Sequence, residues 1–143
     1  NDDLVKGVKW VSTLDGKTSD VCKARDGKVY PVDSGPRPPA HPNCRSSTSY
    51  VLKSWKELGI DLKEFPEGTR ASMDGQVPAN VTYNEWLKGK DSAFQDKVLG
   101  PTRAKLFREG MPVDRFVNKA GDRWTLKKLR ERDAEYFRKA GIA

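Results

Sequence analysis

Apolar and polar positions change their rhythm once along this chain, near its middle. The first half reads as short extended pieces separated by turns. Val8–Thr13, "VKWVST", is rich in β-branched and aromatic residues and predicts a strand. The turn "LDGK" around Asp15 and Gly16 ends it, and Thr18 and Ser19 then cap a short helical turn that carries Cys22. "RDGKVYPV" predicts a hairpin at Asp26–Gly27. Pro36, Pro38 and Pro39 lack amide hydrogens, so 34–40 is an extended loop. In "SSTSYVLKSW", Thr48, Tyr50 and Leu52 alternate as in a strand, whereas Val51, Trp55 and Leu58 fit one helical face. The stretch reads as a strand running into a short helix that ends at Gly59.

Helical spacing takes over in the second half. Thr82 and Glu85 form a capping box ahead of Trp86 and Leu87, and Asp91 or Ser92 caps "AFQDKVL", which stops at Gly100. Pro101 suits the first turn of "PTRAKLFRE", closed by Gly110. "VDRFVNK" is a further short turn, and Thr125 caps a final helix from Leu126 to Lys139. On it Leu126, Leu129, Tyr136 and Phe137 share a face. Residues 66–81 are rich in Gly, Pro and Asn and predict a linker. The expected fold is therefore α+β: a strand- and loop-rich lobe over 1–65, the linker, and a helical lobe over 82–143.

Composition sets the outer limits. The 143 residues are 36% hydrophobic and 33% charged, with enough aromatic residues for a modest core. No apolar run approaches the roughly 18 residues of a membrane span, and the start at Asn1 shows no basic-then-apolar leader, so a membrane or secreted destination is not expected. The lack of an initiator methionine suggests a piece of something longer. Net charge is +7, but residues 101–143 hold 12 basic and 6 acidic residues, a net of +6, against +1 for the rest. A polyanion or an acidic protein suits that end, with Lys127, Lys128, Arg130, Arg132 and Arg138 as candidate nucleic-acid contacts; a merely solvated helix face would look the same.

The only histidine, His41, sits three positions before Cys44, one of two cysteines, in "HPNCR". Pro42 and Asn43 suit the middle of a tight turn, which would set the two flanking side chains beside each other. Cys22, His41 and Cys44 make three soft ligands for zinc, one short of a closed tetrahedral set. Asp15, Asp20, Asp26 or water remain for the fourth, and Ser19 stands where a C-x-x-C partner of Cys22 would be. Two buried thiols and a hydrogen-bonded histidine would produce the same pattern without metal. A catalytic reading would use His41 as base, toward a cysteine nucleophile or a water, with Asp15 or Asp26 orienting it and Arg45 steadying phosphate. No second histidine serves as acid and no Gly-rich phosphate loop is evident, so the balance leans away from an enzyme and from a small-molecule substrate.

Taken in order, Trp10, Ser12, Thr13, Asp15, Thr18, Ser19, Cys22, Asp26, Gly27, Pro39, His41, Pro42, Cys44 and Arg45 resemble the signature block of the phage Mu F-like minor head proteins, also called head morphogenesis proteins. "GTRASMDGQVPANVTYNEWLKGKDSAFQDKVLGPTRAKLFREG" and "WTLKKL" resemble the C-terminal extension of such proteins. The resemblance implies a virion or prohead component near the portal, working in head assembly, DNA packaging or ejection. Its partners would be the portal, other head proteins and packaged DNA, in the virion head or in the host cytoplasm during assembly. Members usually carry a helical region before the tryptophan block, and some have a second cysteine ahead of the one matching Cys22. In that frame the His/Cys turn pins the proline loop against Cys22, and Asp15, Thr18 and Arg45 complete a polar cluster.

Overall fold

In the computed structural model, which describes residues 4–55, 57–61 and 68–142, β1 (Val5–Val11) is the middle strand of a three-stranded antiparallel sheet. β2 (Val29–Tyr30) lies on one side and β3 (Ser47–Leu52) on the other. Val8 faces Tyr30 and Tyr50, and Trp10 faces Thr48. The strand begins with a bulge between Val5 and Gly7. A Cβ on Gly7 would lie 2.6 Å from Val29 Cγ1 and 3.0 Å from the Tyr30 carbonyl oxygen, so only glycine lets β2 approach there. Val8 and Trp10 are buried, as their apolar spacing predicts.

α1 (Asp20–Arg25) follows the turn at Asp15–Lys17. The predicted hairpin at Asp26–Gly27 is replaced by a longer connection. Gly27 N–H donates to the Trp10 carbonyl and Trp10 N–H to the Lys28 carbonyl, both at 2.9 Å, so β2 returns beside β1 across α1. Gly27 has φ +82, which explains its residue type. The loop from Pro31 to Arg45 has no helix or strand, as its prolines demand.

After β3, the helix expected to end at Gly59 is reduced to hydrogen-bonded turns; Leu58 N–H reaches the Ser54 carbonyl at 3.1 Å and Gly59 turns with φ +78. Lys56 lies outside the described residues, as do positions 66 and 67 of the expected linker. The described remainder of that linker forms a hairpin of β4 (Thr69–Ser72) and β5 (Gly75–Pro78). Its Gly and Asn residues punctuate strands here rather than loosening the chain. Met73 N–H donates to the Leu14 carbonyl at 3.0 Å, joining the hairpin to the turn after β1.

The helices come next: α2 (Tyr83–Lys88), α3 (Ser92–Leu99), α4 (Pro101–Arg108), a 3-10 turn (Val113–Phe116), α5 (Leu126–Arg132) and α6 (Ala134–Lys139). Thr82 and Glu85 make the capping box, and Asp91 caps α3 by accepting from Phe94 N–H at 2.8 Å. The continuous final helix is a mistaken expectation. Asp133 leaves helical geometry at φ −130, ψ 47, and its buried carboxylate pairs with Arg115, which divides the helix into α5 and α6. Leu129 and Phe137 still face inward from the two pieces. Tyr83, Leu87, Leu106, Phe107 and Met111 form the centre of the helical core, and Leu14 from the turn after β1 is buried among them. Small antiparallel sheets toward the N-terminus and helices mostly toward the C-terminus make this an α+β fold.

Candidate metal centre

The site starts from a local turn. Cys44 N–H donates to the His41 carbonyl at 3.2 Å, closing His41–Cys44, and Asn43 takes φ +63. Proline second and a left-handed asparagine third are what a type II turn asks for. The turn carries His41 and Cys44 to the start of α1, where Cys22 waits. Cys22 Sγ lies 3.7 Å from His41 Nε2 and 3.7 Å from Cys44 Sγ, and the three donor atoms lie within 4.8 Å of one another. Bonds of about 2.3 Å to sulfur and about 2.0–2.1 Å to nitrogen around a tetrahedral zinc place sulfur pairs about 3.8 Å apart and sulfur–nitrogen pairs about 3.6 Å apart. The Cys22–His41–Cys44 cluster has the spacing to hold a metal ion.

The histidine is turned the right way for it. His41 Nδ1 is 2.8 Å from the Pro42 carbonyl oxygen, which can only accept, so that contact assigns the ring hydrogen to Nδ1. Nε2 then presents a lone pair toward the cysteines, the tautomer that ligates. Ser19 supplies the competing contact: its hydroxyl donates to Nε2 at 2.8 Å. Ser19 occupies the N-cap of α1 yet makes no capping bond with its side chain. A fellow ligand would sit about 3.4 Å from Nε2 at such a centre, so Ser19 in this pose is a hydrogen-bond partner.

Both cysteines are free thiols in unlike surroundings. Burial pushes the Cys22 thiol up, opposed in part by the polar Ser19 and Ser46 hydroxyls beside it. Burial also opposes the Cys44 thiolate, but backbone donation at Ala40 and Ser46, with the Ser46 hydroxyl and Cys22, brings it down to about 7. Cys44 is therefore the more readily ionised of the two thiols, with Cys22 Sγ 3.7 Å away. Beside the donors lies a cavity of about 50 Å³ bordered by Lys17, Thr18, Asn43 and Arg45.

Polar contacts fix the scaffold. Ser12 accepts from Trp10 Nε1 at 2.9 Å, donates to the Cys22 carbonyl at 2.7 Å and lies 3.1 Å from the Ser46 hydroxyl. One hydroxyl thus ties β1, α1 and the segment after the turn together. Arg45 grips Asp15 with two bonds, 2.6 and 2.9 Å, and the Thr18 hydroxyl donates to Asp15 and to the Thr13 carbonyl. The Arg45 guanidinium holds the Asp15 carboxyl down at about 2, against partial burial.

None of the three aspartates considered as a fourth ligand joins the cluster. Asp15 is taken by Arg45, and Asp20 by Lys23 and Arg123. Asp26 accepts from the amides of Ser12 and Tyr83 and from Arg70. Among the described residues His41 Nδ1 is bonded to the Pro42 carbonyl and to no carboxylate, so neither Asp15 nor Asp26 orients the ring. Arg70, the buried partner of Asp26, has no local signal in the sequence and was not anticipated. Ser46 was likewise missed. Lys127, Lys128, Arg130, Arg132 and Arg138 are exposed on α5 and α6. Two are partly engaged by rings: Arg132 lies 4.6 Å from Trp124 and Arg130 lies 5.3 Å from Phe137.

Among the described residues no helix is long and apolar enough to cross a membrane. Comparison with family models, curated proteins and solved structures finds no match.

Proposed function

We propose that this chain is part of a phage or prophage minor head protein of the Mu F-like kind, with a structural role near the portal in head assembly, DNA packaging or ejection. In it Cys22, His41 and Cys44 hold a zinc ion that fastens the proline loop to α1, with solvent from the adjoining cavity as fourth ligand. Metal of this kind supplies cross-linking energy to a small lobe with a limited core. The reading is carried by one observation. Residues that bear the resemblance, dispersed from Trp10 to Arg45, meet in two neighbouring sets of contacts: Trp10 to Ser12, Ser12 to Cys22 and Cys22 to His41 and Cys44 in one, Thr18 to Asp15 and Asp15 to Arg45 in the other, with Cys44 and Arg45 adjacent in the chain.

Metal analysis of protein purified without added zinc tests the centre. One zinc per chain, absent from Cys22→Ser and Cys44→Ser, is expected; a metal-free wild-type chain that stays metal-free on zinc addition overturns it. A null allele in the source phage or prophage tests the role. Heads that are missing, empty or unable to eject are expected, and full infectious particles in normal numbers overturn the reading.

A further inference from the structure

On the far side of Lys17 and Arg45 from the metal cluster lies a groove of about 360 Å³, between the Asp15–Lys17 turn, the β4–β5 hairpin tip and α3. Its floor is apolar: Met73, Phe94 and Val98. Met73 is 57% exposed at a hairpin tip, unusual for so large an apolar side chain. Gly16 keeps the floor open. A Cβ there would meet Phe94 Cζ at 3.5 Å and Val98 Cγ2 at 3.6 Å, an ordinary contact in a conformation that any residue adopts. The rim is positive. Among the described residues Lys17 and Lys97 have no ion-pair partner, while the nearby acids are neutralised: Asp15 by Arg45, Asp74 by Lys90 and Asp96 by Arg108.

We propose that this groove docks an acidic peptide segment of a partner protein, with one bulky apolar side chain seated on Met73, Phe94 and Val98 and carboxylates on Lys17 and Lys97. The charge complementarity sets the sign of the ligand, and a soft, adaptable Met73 suits an aliphatic anchor. Nucleic acid fits less well. Phe94 packs perpendicular to Trp86, centroids 5.8 Å apart, and is half-buried, so its ring is already engaged in packing rather than free as a stacking platform for a base. Two cations at a rim also make no track for a phosphate backbone. The inference goes beyond the head-protein reading and stands or falls separately from the zinc centre.

The test uses the ¹⁵N-labelled full chain titrated with short synthetic peptides, glutamates flanking a central leucine, methionine, phenylalanine or tryptophan. Saturable amide shifts confined to Gly16, Lys17, Met73, Lys97 and Val98 are expected with at least one anchor. The double reversal Lys17→Glu with Lys97→Glu weakens binding about tenfold or more, as two exposed ion pairs turned repulsive should, and transfers preference to lysine-flanked peptides. Gly16→Leu fills the floor and abolishes binding at unchanged charge, with unchanged amide dispersion elsewhere showing an intact fold. Absence of saturable shifts with every anchor overturns the proposal. So does equal binding of lysine-flanked peptides by the wild type, or oligothymidylate occupying the groove in place of the acidic peptides.

Discussion

Arg70 crosses 44 positions of sequence to close two hydrogen bonds, 3.0 and 2.9 Å, on the carboxylate of Asp26, whose side chain is fully buried. The same arginine donates to the carbonyls of Ser12 and Val81, and Asp26 also receives the amides of Ser12 and Tyr83. One ion pair thereby joins β1, the end of α1, the β4–β5 hairpin and the start of α2. Removing one partner strands the other charge out of water. Asp26→Ala should cost about 3–5 kcal/mol in urea unfolding, and Asp26→Ala with Arg70→Met should cost less than the sum of the single losses. Strictly additive losses would mean that the two groups do not depend on each other.

Why that pair stayed hidden while the turn beside it was readable is a matter of range. His41–Cys44 and the Thr82–Glu85 box are legible because proline, asparagine and capping chemistry act within four residues. The meeting of Cys22 with His41 was legible only as an expectation, since residue type raised it and folding had to supply it. Arg70 sits in a Gly/Pro/Asn-rich stretch whose composition masks a strand, and nothing within several residues marks its partner. Asp133 misleads for a related reason. The apolar face runs on from Leu129 to Phe137 across the break, and an aspartate interrupts a helix only because Arg115 is there to receive it.

If the Cys22–His41–Cys44 cluster binds zinc as proposed, Ser19 should set its strength. Its hydroxyl occupies the His41 Nε2 lone pair, so metal must displace that contact. Ser19→Ala should leave zinc binding intact or slightly tighter, and Ser19→Cys should tighten it by completing a Cys₃His set. His41→Ala should abolish stoichiometric binding. Zinc at one hundred times its dissociation constant should add about 2.7 kcal/mol to stability, reversed by chelator. Zinc affinity lower in Ser19→Cys than in the wild type would place that side chain away from the ion.

Alkylation should distinguish the two thiols. In metal-free protein Cys44, held down at about 7 and half-buried, should react with iodoacetamide at a rate that rises through that pH. Cys22, buried and pushed up, should lag at every pH below its own elevated range. Zinc should protect both. Peptide mapping after brief labelling reads the order, and preferential modification of Cys22 would contradict these environments.

Asp15 gives the acid limb a defined sign. Its folded carboxyl titrates at about 2, below the ordinary 3.8, so its contribution is fully present above the unfolded value and is lost as pH falls through about 2. The pair is partly open to solvent, which keeps its worth to roughly 1 kcal/mol or less. Arg45→Gln should raise the Asp15 value toward 3.8, visible in carboxyl ¹³C titration, and flatten the stability profile between pH 2 and 4. An unchanged Asp15 titration in that variant would show that Arg45 is not what holds it.

The basic surface of α5 and α6 can be divided by what each cation already does. Lys127 and Arg138 are exposed and without an ion pair among the described residues, and Lys128 is held only by Glu131 at 3.8 Å. Arg132 over Trp124 and Arg130 over Phe137 contribute to packing as well as charge. If packaged DNA is a partner, glutamine at Lys127, Lys128 and Arg138 should weaken duplex binding and reduce the salt slope by about 0.9 for each phosphate no longer neutralised, with thermal unfolding nearly unchanged. Glutamine at Arg130 and Arg132 should lower the melting temperature as well, because Phe137 and Trp124 are then less covered without the guanidinium planes. Little sequence preference is expected, since phosphate carries no base information. Fluorescence anisotropy with a labelled duplex at low and moderate salt measures the slope. A wild-type chain that ignores duplex DNA at low salt, or a triple variant that binds as the wild type does, would return this face to ordinary surface.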